Sequence, residues 1–166
     1  MRRAICSIAL GVLCVACAAV SHAAQVTQPM NVSLTIGTPG GAVSLVVGSL
    51  VLAGPASGPA YGTTTVDVNA TSGLSYSISL DPGLHMGAGG TTSRNLVAAT
   101  GVIPYSLFRD PSLAQLWGDG SVLGPPVNGV GTGSSQSYTV VGTTSTLPSP
   151  PPNGVYTDVV TVSVNF

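Results

Sequence analysis

The sequence contains no lysine and no glutamate among its 166 residues. Its formal charges are four arginines and five aspartates, so only 5% of the chain is charged. That scarcity excludes nucleic-acid binding, which needs basic density along a face. It also argues against a cytosolic helical enzyme, because strong helix formers are rare. Aromatic residues are few, with one tryptophan and two phenylalanines. Cysteine occurs only at Cys6, Cys14 and Cys17. Val, Thr, Ser and Gly are abundant instead, and 22 glycines and 13 prolines supply frequent turns. One all-β domain is the class that fits.

The first 23 residues have the composition of a secretory signal peptide. Arg2 and Arg3 form a basic start, residues 5–20 an apolar run, and Ser21-His22-Ala23 a small-residue cleavage site. The apolar run is short for a membrane anchor, and neither Cys14 nor Cys17 sits in a good lipobox. Cleavage after Ala23 would remove all three cysteines. It would leave Arg94 and Arg109 against Asp67, Asp81, Asp110, Asp119 and Asp158, a formal charge of 2 − 5 = −3. An exported domain without disulfides must be held by sheet pairing and core packing alone.

Residues 154–166 (GVYTDVVTVSVNF) give the clearest strand. Val160, Val162, Val164 and Phe166 share one face, while Val159, Thr161, Ser163 and Asn165 share the other. This period-2 pattern in β-branched residues describes a half-buried strand, expected inside a sheet. Near the other terminus, Met30, Val32, Leu34 and Ile36 alternate with polar residues before the breaker 37–41 (GTPGG). Pro29 limits ladder pairing on the side before them. On pattern alone this segment is either the first strand of its own sandwich or a strand lent to another molecule.

Further strands are expected over 42–52, 63–70, 74–80, 103–108 and 137–141. Residues 71–73 (TSG) read as a hairpin connection between two of them. Residues 81–83 (DPG) and 109–111 (RDP) read as turns, 84–93 and the glycine-rich stretch to Gly133 as loops, and 147–154 as an extended proline-rich connector. No helical period and no internal repeat occurs, so a β-sandwich is the expected architecture.

The segments YSISLDPG (76–83), RNL (94–96), IPYSLFRD (103–110), WGDG (117–120), QSYTVV (136–141) and the terminal GVYTDVVTVSVNF follow one another in a familiar order. In that order and approximate spacing the chain resembles the spore coat protein U domain, shared by subunits of archaic (Csu-type) chaperone–usher pili. The likeness is good over 74–166 and one of layout over 24–70. It implies an incomplete immunoglobulin-like β-sandwich that lacks one strand and is completed by a donor strand. The implied organisation is a signal peptide over 1–23, a donor strand over 24–37 and the sandwich over 38–166. Met30, Val32, Leu34 and Ile36 would be the donor residues. Val160, Val162, Val164 and Phe166 would line the acceptor groove and chaperone edge. The implied partners are other pilus subunits, a periplasmic chaperone and an outer-membrane usher, in a structural role at the surface of a Gram-negative bacterium. Relatives often carry a cysteine after the donor strand and another near the position of Asn69; this chain has neither.

Other chemistry is thin. Trp117-Gly118-Asp119-Gly120 lacks the spaced oxygen ligands of a calcium loop, so Trp117 is expected to anchor a corner. His85 stands alone in a glycine-rich loop and is expected in solvent. No nucleophile elbow or second histidine supports a triad, and no metal, cofactor or enzymatic activity is expected. Arg94, Arg109 and the aspartates are expected at turns and edges, and Tyr76, Tyr105, Tyr138 and Tyr156 in the core or at strand ends. The alternatives are a secreted monomeric sandwich that binds a carbohydrate or surface ligand, or a coat-layer structural protein.

Overall fold

The computed structural model describes residues 25–28, 31–32, 43–55, 58–90, 92–145 and 151–166. The expected signal peptide lies outside these residues. The described strands are β1 (Gln25–Gln28), β2 (Asn31–Val32), β3 (Val43–Val47), β4 (Leu50–Ala53), β5 (Tyr61–Ala70) and β6 (Ser75–Leu80), then β7 (Arg94–Ala98), β8 (Gly101–Phe108), β9 (Val127–Val130), β10 (Ser135–Thr144) and β11 (Thr161–Asn165). They form two sheets. The larger runs β1-β4-β5-β10-β8-β7, with β3 also on β5; the smaller runs β2-β11-β6-β9. The fold is an all-β sandwich, as composition and alternation require.

Burial follows the alternation. β5 buries Val66, Val68 and Ala70 and exposes Thr63, Thr65 and Asn69. β6 buries Tyr76, Ile78 and Leu80, and β8 buries Ile103, Tyr105 and Leu107. β11 buries Val162 and Val164, with Val160 just before it. These inner faces meet in one core that encloses Trp117. Where β10 crosses that core, Gly142 leaves the room that Leu50 and Leu52 fill: a Cβ there would lie 2.8 Å from a methyl of each.

The connection over 71–73 is not a hairpin. β5 belongs to the larger sheet and β6 to the smaller, so the turn carries the chain across the sandwich. Leu74 N–H closes the turn on the Thr71 carbonyl (3.0 Å), and Gly73 takes a positive φ of 82°. The turn's remaining polar groups bond the chain as it returns from β9 to β10. Gly73 N–H donates to the Gly131 carbonyl (2.9 Å), Gly131 N–H to Leu74 (2.8 Å) and Gly133 N–H to Ala70 (3.0 Å). The two crossings thus satisfy each other's backbone. β5 is free to pair with β10 along most of its length, from Tyr61↔Thr143 to Asn69↔Ser135.

Three further boundaries differ from the expectations. The run 42–52 breaks at Gly48–Ser49 into β3 and β4, both antiparallel to β5. Residues 94–98 form a strand of their own, hairpinned to β8. The stretch expected to be a glycine-rich loop contains β9, which pairs with β6 from Ser75↔Val130 to Ile78↔Val127. Asn128 and Gly129 within it hide its strand character.

Candidate functional site

The strand that bears the expected acceptor residues has two unlike edges. On one, β11 is antiparallel to β6 from Val162↔Leu80 to Asn165↔Ser77. The Asp81 N–H donates to the Thr161 carbonyl (3.0 Å), so Thr161 turns its backbone groups toward the β6 side. Successive strand residues turn theirs to opposite edges. Val160, Val162, Val164 and Phe166 therefore direct N–H and C=O outward. On this outer edge the described pairing is with β2 alone, in parallel, at Thr161↔Asn31 and Val162↔Val32.

The side chains of the same residues face the core. Val160, Val162 and Val164 are buried and Phe166 is partly buried. What these four present at the rim is backbone rather than an open wall of side chains. Of the expected donor residues, Val32 lies in β2 beside Val162, while Met30, Leu34 and Ile36 lie outside the described residues. Upstream, β1 is antiparallel to β4, from Gln25↔Ala53 to Gln28↔Leu50. The described parts of the amino-terminal segment thus pair with both sheets, β1 with the larger and β2 with the smaller.

The opposite side of β11 is held by a buried polar cluster. Arg94, Asn95 and Asp158 are each at most 1% exposed. The Arg94 guanidinium donates from Nε to the Asp81 carbonyl (2.9 Å), from Nη2 to Leu80 (2.8 Å) and from Nη1 to Trp117 (3.3 Å). Burial pulls its pKa below the ordinary range, opposed by Tyr105, Asp81, Asp119 and Asp158. Asp158 accepts from the Tyr105 hydroxyl (2.7 Å) and from the His85 backbone N–H (3.2 Å), and the His85 ring Nδ1 lies 2.9 Å from the same carboxyl group. Asp81 Oδ1 accepts from Thr161 N–H (2.8 Å) and Gly83 N–H (2.9 Å). Gly83, at φ 78°, has no room for a Cβ because Asp158 Oδ2 occupies that space. Trp117 Nε1–H donates to the Ile78 carbonyl (3.0 Å), so the tryptophan anchors its corner as expected. Together these bonds fix the start of β11 against the 81–85 turn, β7 and β8.

Two expectations change here. His85 is not alone in solvent but rests on Asp158, 73 residues away in sequence. Arg94 and Asp158 are interior groups rather than edge charges, because backbone carbonyls and a tyrosine hydroxyl satisfy them. The signal for Asp158 was present: it shares the period-2 face of Tyr156, Val160, Val162 and Val164. Asp110 and Asp119 do make turn contacts. Asp110 accepts from Ala114 and Gln115 N–H, and Asp119 from Ser121 N–H. Among the described residues, no three His, Cys, Asp or Glu side chains converge as metal ligands.

A family model for the Spore Coat Protein U domain matches residues 27–163. The chain belongs to that family. No curated protein matches the sequence. Among solved structures, the spore coat U fold here is similar to a chain of the CsuC–CsuE chaperone–tip adhesion subunit pre-assembly complex, from the archaic chaperone–usher Csu pili of Acinetobacter baumannii. The likeness has a TM-score of 0.55 at 20% identity and covers 76% of this chain and 40% of that one. The present chain thus spans well under half of that relative's length. Of the six segments that carry the resemblance, five (YSISLDPG, RNL, IPYSLFRD, WGDG and the terminal GVYTDVVTVSVNF) supply residues to the buried cluster around Arg94 and Asp158, while QSYTVV lies in β10.

Proposed function

We propose that this protein is a structural subunit of a chaperone–usher pilus that polymerises by donor-strand exchange. The observation that carries this reading is the outer rim of β11. The core-facing strand of the smaller sheet has an edge whose described pairing stops at Val162. Such an edge takes an added strand, with backbone bonds giving affinity and alternate side chains giving specificity. Left bare it invites aggregation, which accounts for a periplasmic chaperone before delivery to an outer-membrane usher. Each copy would give residues 30–36 and receive the same segment of the next, a head-to-tail contact that grows an open filament. Export through the periplasm and display on a Gram-negative cell, in adhesion or biofilm, follow from that role. The family and the neighbouring pilus complex support a structural rather than an enzymatic role.

The test uses the exported chain lacking residues 24–36, mixed with a synthetic peptide of residues 26–36. A low, broad melt that the peptide sharpens and raises is the expected result. A stable monomer indifferent to the peptide overturns the reading. The carbohydrate-binding alternative has one feature in its favour, a shallow trough on the outer face of the smaller sheet. It is lined by Ser75, Tyr76, Ser77, Asn128, Gly129, Val130 and Asn165, all uncharged, with Tyr76 itself buried. It has no exposed aromatic platform, and glycan binding by the monomer with no response to the peptide would be its mark.

A further inference from the structure

The smaller sheet has a second edge, at β9, in a stretch described without interruption from residue 92 to 145. The return crossing fixes the direction of its backbone groups. Gly131 N–H donates to the Leu74 carbonyl (2.8 Å) and the Gly131 carbonyl accepts from Gly73 N–H (2.9 Å), so Gly131 faces the β6 side. Successive residues alternate, so Gly129 and Val127 also face β6, opposite Tyr76 and Ile78. Asn128 and Val130 therefore direct N–H and C=O away from the sheet. Among the described residues these outward groups have no hydrogen-bond partner, since β9 pairs with β6 alone. Asn128 is exposed and Val130 is 55% exposed. Between them Gly129 carries no side chain, and the Tyr76 ring and Tyr138 hydroxyl fill the place of its Cβ. The edge thus offers two outward residues around a bare centre.

We propose that this edge pairs with the same edge of a second copy, antiparallel and about a two-fold axis through Gly129. Asn128 then lies opposite the partner's Val130, and Val130 opposite the partner's Asn128. Each such pair exchanges both of its N–H···O=C bonds, so every outward group of the two strands is satisfied. Two observations select a second copy over an unlike protein. The arrangement of outward residue, bare glycine and outward residue is unchanged when the strand is reversed, so the edge is complementary to itself. The trough beside it is neutral, and Ser75, Ser77, Asn128, Val130 and Asn165 give a charged partner nothing to recognise and a copy no like charge to meet. Glycine against glycine lets the two backbones close with no side chain between them. β9 has only four residues, and Pro125 and Pro126 precede it, so the contact falls at the small, transient end of interface sizes. That shortness keeps dilute subunits apart. In the filament proposed above, the contact recurs along the fibre and adds by avidity, which holds filaments side by side. This consequence rests on the polymerisation reading; the pairing itself does not.

Residues 24–166 contain no cysteine, so cross-linking can read the register. Asn128→Cys and Val130→Cys are made separately, checked by thermal melt, and mixed at high concentration under mild oxidation. In the proposed pairing the two cysteines of a mixed dimer lie opposite each other, with Cα atoms about 5.5 Å apart, a span that a disulfide bridges. Two copies of one variant place theirs on a diagonal, about 7–8 Å apart, which exceeds that span. The mixed dimer is expected to exceed each like dimer by at least about tenfold. A statistical distribution of the three dimers overturns the pairing, and so does the absence of any dimer. Adding Val130→Pro to the Asn128→Cys chain removes one outward N–H at an edge position that proline tolerates. The yield of mixed dimer should then fall severalfold, and an unchanged yield overturns the pairing. β6 separates β9 from β11, so polymerisation through β11 does not set these two positions against each other. Absence of the mixed dimer, with the truncated chain still answering to the peptide of residues 26–36, strikes the β9 pairing alone. Loss of the peptide response with the mixed dimer intact strikes the polymerisation reading alone.

Discussion

The two edges of β11 are held by different chemistry. Toward β6 and the 81–85 turn, it is fixed by buried, directional bonds that involve Asp81, Asp158 and, through them, Arg94, Tyr105 and His85. Toward the outside it offers repeated backbone groups, which among the described residues meet a parallel partner at Asn31 and Val32. The first edge admits few substitutions, because each buried polar group needs its own partner. The second asks of an incoming strand only that it be extended and alternate in polarity. Recognisable motifs therefore concentrate at the first edge, and exchange is available at the second. Under the donor-strand reading proposed above, a subunit that exchanges one strand gains from having the neighbouring strand firmly placed.

That contrast breaks most visibly at Trp117. Its indole is fully buried and its N–H satisfies the Ile78 carbonyl. Trp117→Ala should cost about 3–5 kcal/mol, as large-to-small core changes do, and should leave that carbonyl without its donor. Denaturant titration of residues 24–166 measures it. A loss under about 1 kcal/mol would mean that the corner is not part of the rigid edge.

A smaller effect, more specific to the network, is expected at Asp158. Asp158→Asn replaces an acceptor-only group with one whose amide must face either Tyr105 or His85, both of which use the carboxyl group. The expected loss is about 1.5–3 kcal/mol. Combined with Tyr105→Phe, the double variant should lose less than the sum, with a coupling of about 0.5–3 kcal/mol. Additive losses would show that the two groups act independently and that β11 is held by packing alone.

At the rim the prediction reverses. Leu34→Asp should change the unfolding free energy of the monomer by no more than about 1 kcal/mol, yet abolish fibre growth and prevent the corresponding peptide from raising the melt. Sedimentation or electron microscopy of assembled material reads the first, and thermal melts the second. Fibres that grow normally from this variant would move the donated segment away from residues 30–36. The pairing of effects is the sharp part: stability without assembly at one edge, and assembly limited only by stability at the other.

Legibility in the sequence divides along the same line. Period-2 runs gave β5, β6, β8, β10 and β11 and their buried faces, since alternation is a local property. The turn at 71–73 misled because the same residues suit a hairpin and a sheet crossing. What decides is the bonding of Gly73, Leu74 and Gly131, nearly 60 residues apart in sequence. β9 was hidden by Asn128 and Gly129, residues that disfavour strands; Gly129 is required because a Cβ would strike the Tyr76 ring and the Tyr138 hydroxyl. Arg94 and Asp158 looked like surface charges because their partners are carbonyls and a hydroxyl supplied by tertiary structure. Only the place of Asp158 on an apolar register hinted otherwise.

The smallest expected effect concerns acid. The Asp119 carboxyl is held below its ordinary value of 3.8, first by the Ser121 side chain and then by backbone N–H groups, with a minor contribution from Arg94. A carboxylate favoured in the folded state contributes stability that is fully present above its unfolded pKa and is lost as pH falls through its lowered folded value. Folded residues 24–166 should therefore keep their melting temperature from neutrality down to about pH 4 as far as Asp119 is concerned, and lose it progressively below. Asp110, lowered chiefly by the Ser112 hydroxyl, contributes with the same sign. Asp119 is exposed and Asp110 partly so, so solvent screening keeps the effect small. Asp119→Asn should flatten the melting curve's dependence on pH between 4 and 2 without altering peptide uptake at neutral pH. An unchanged slope would assign the acid sensitivity to other carboxylates. Impaired peptide uptake would tie the WGDG corner to the rim, and the two edges of β11 would then be less separable than their bonding indicates.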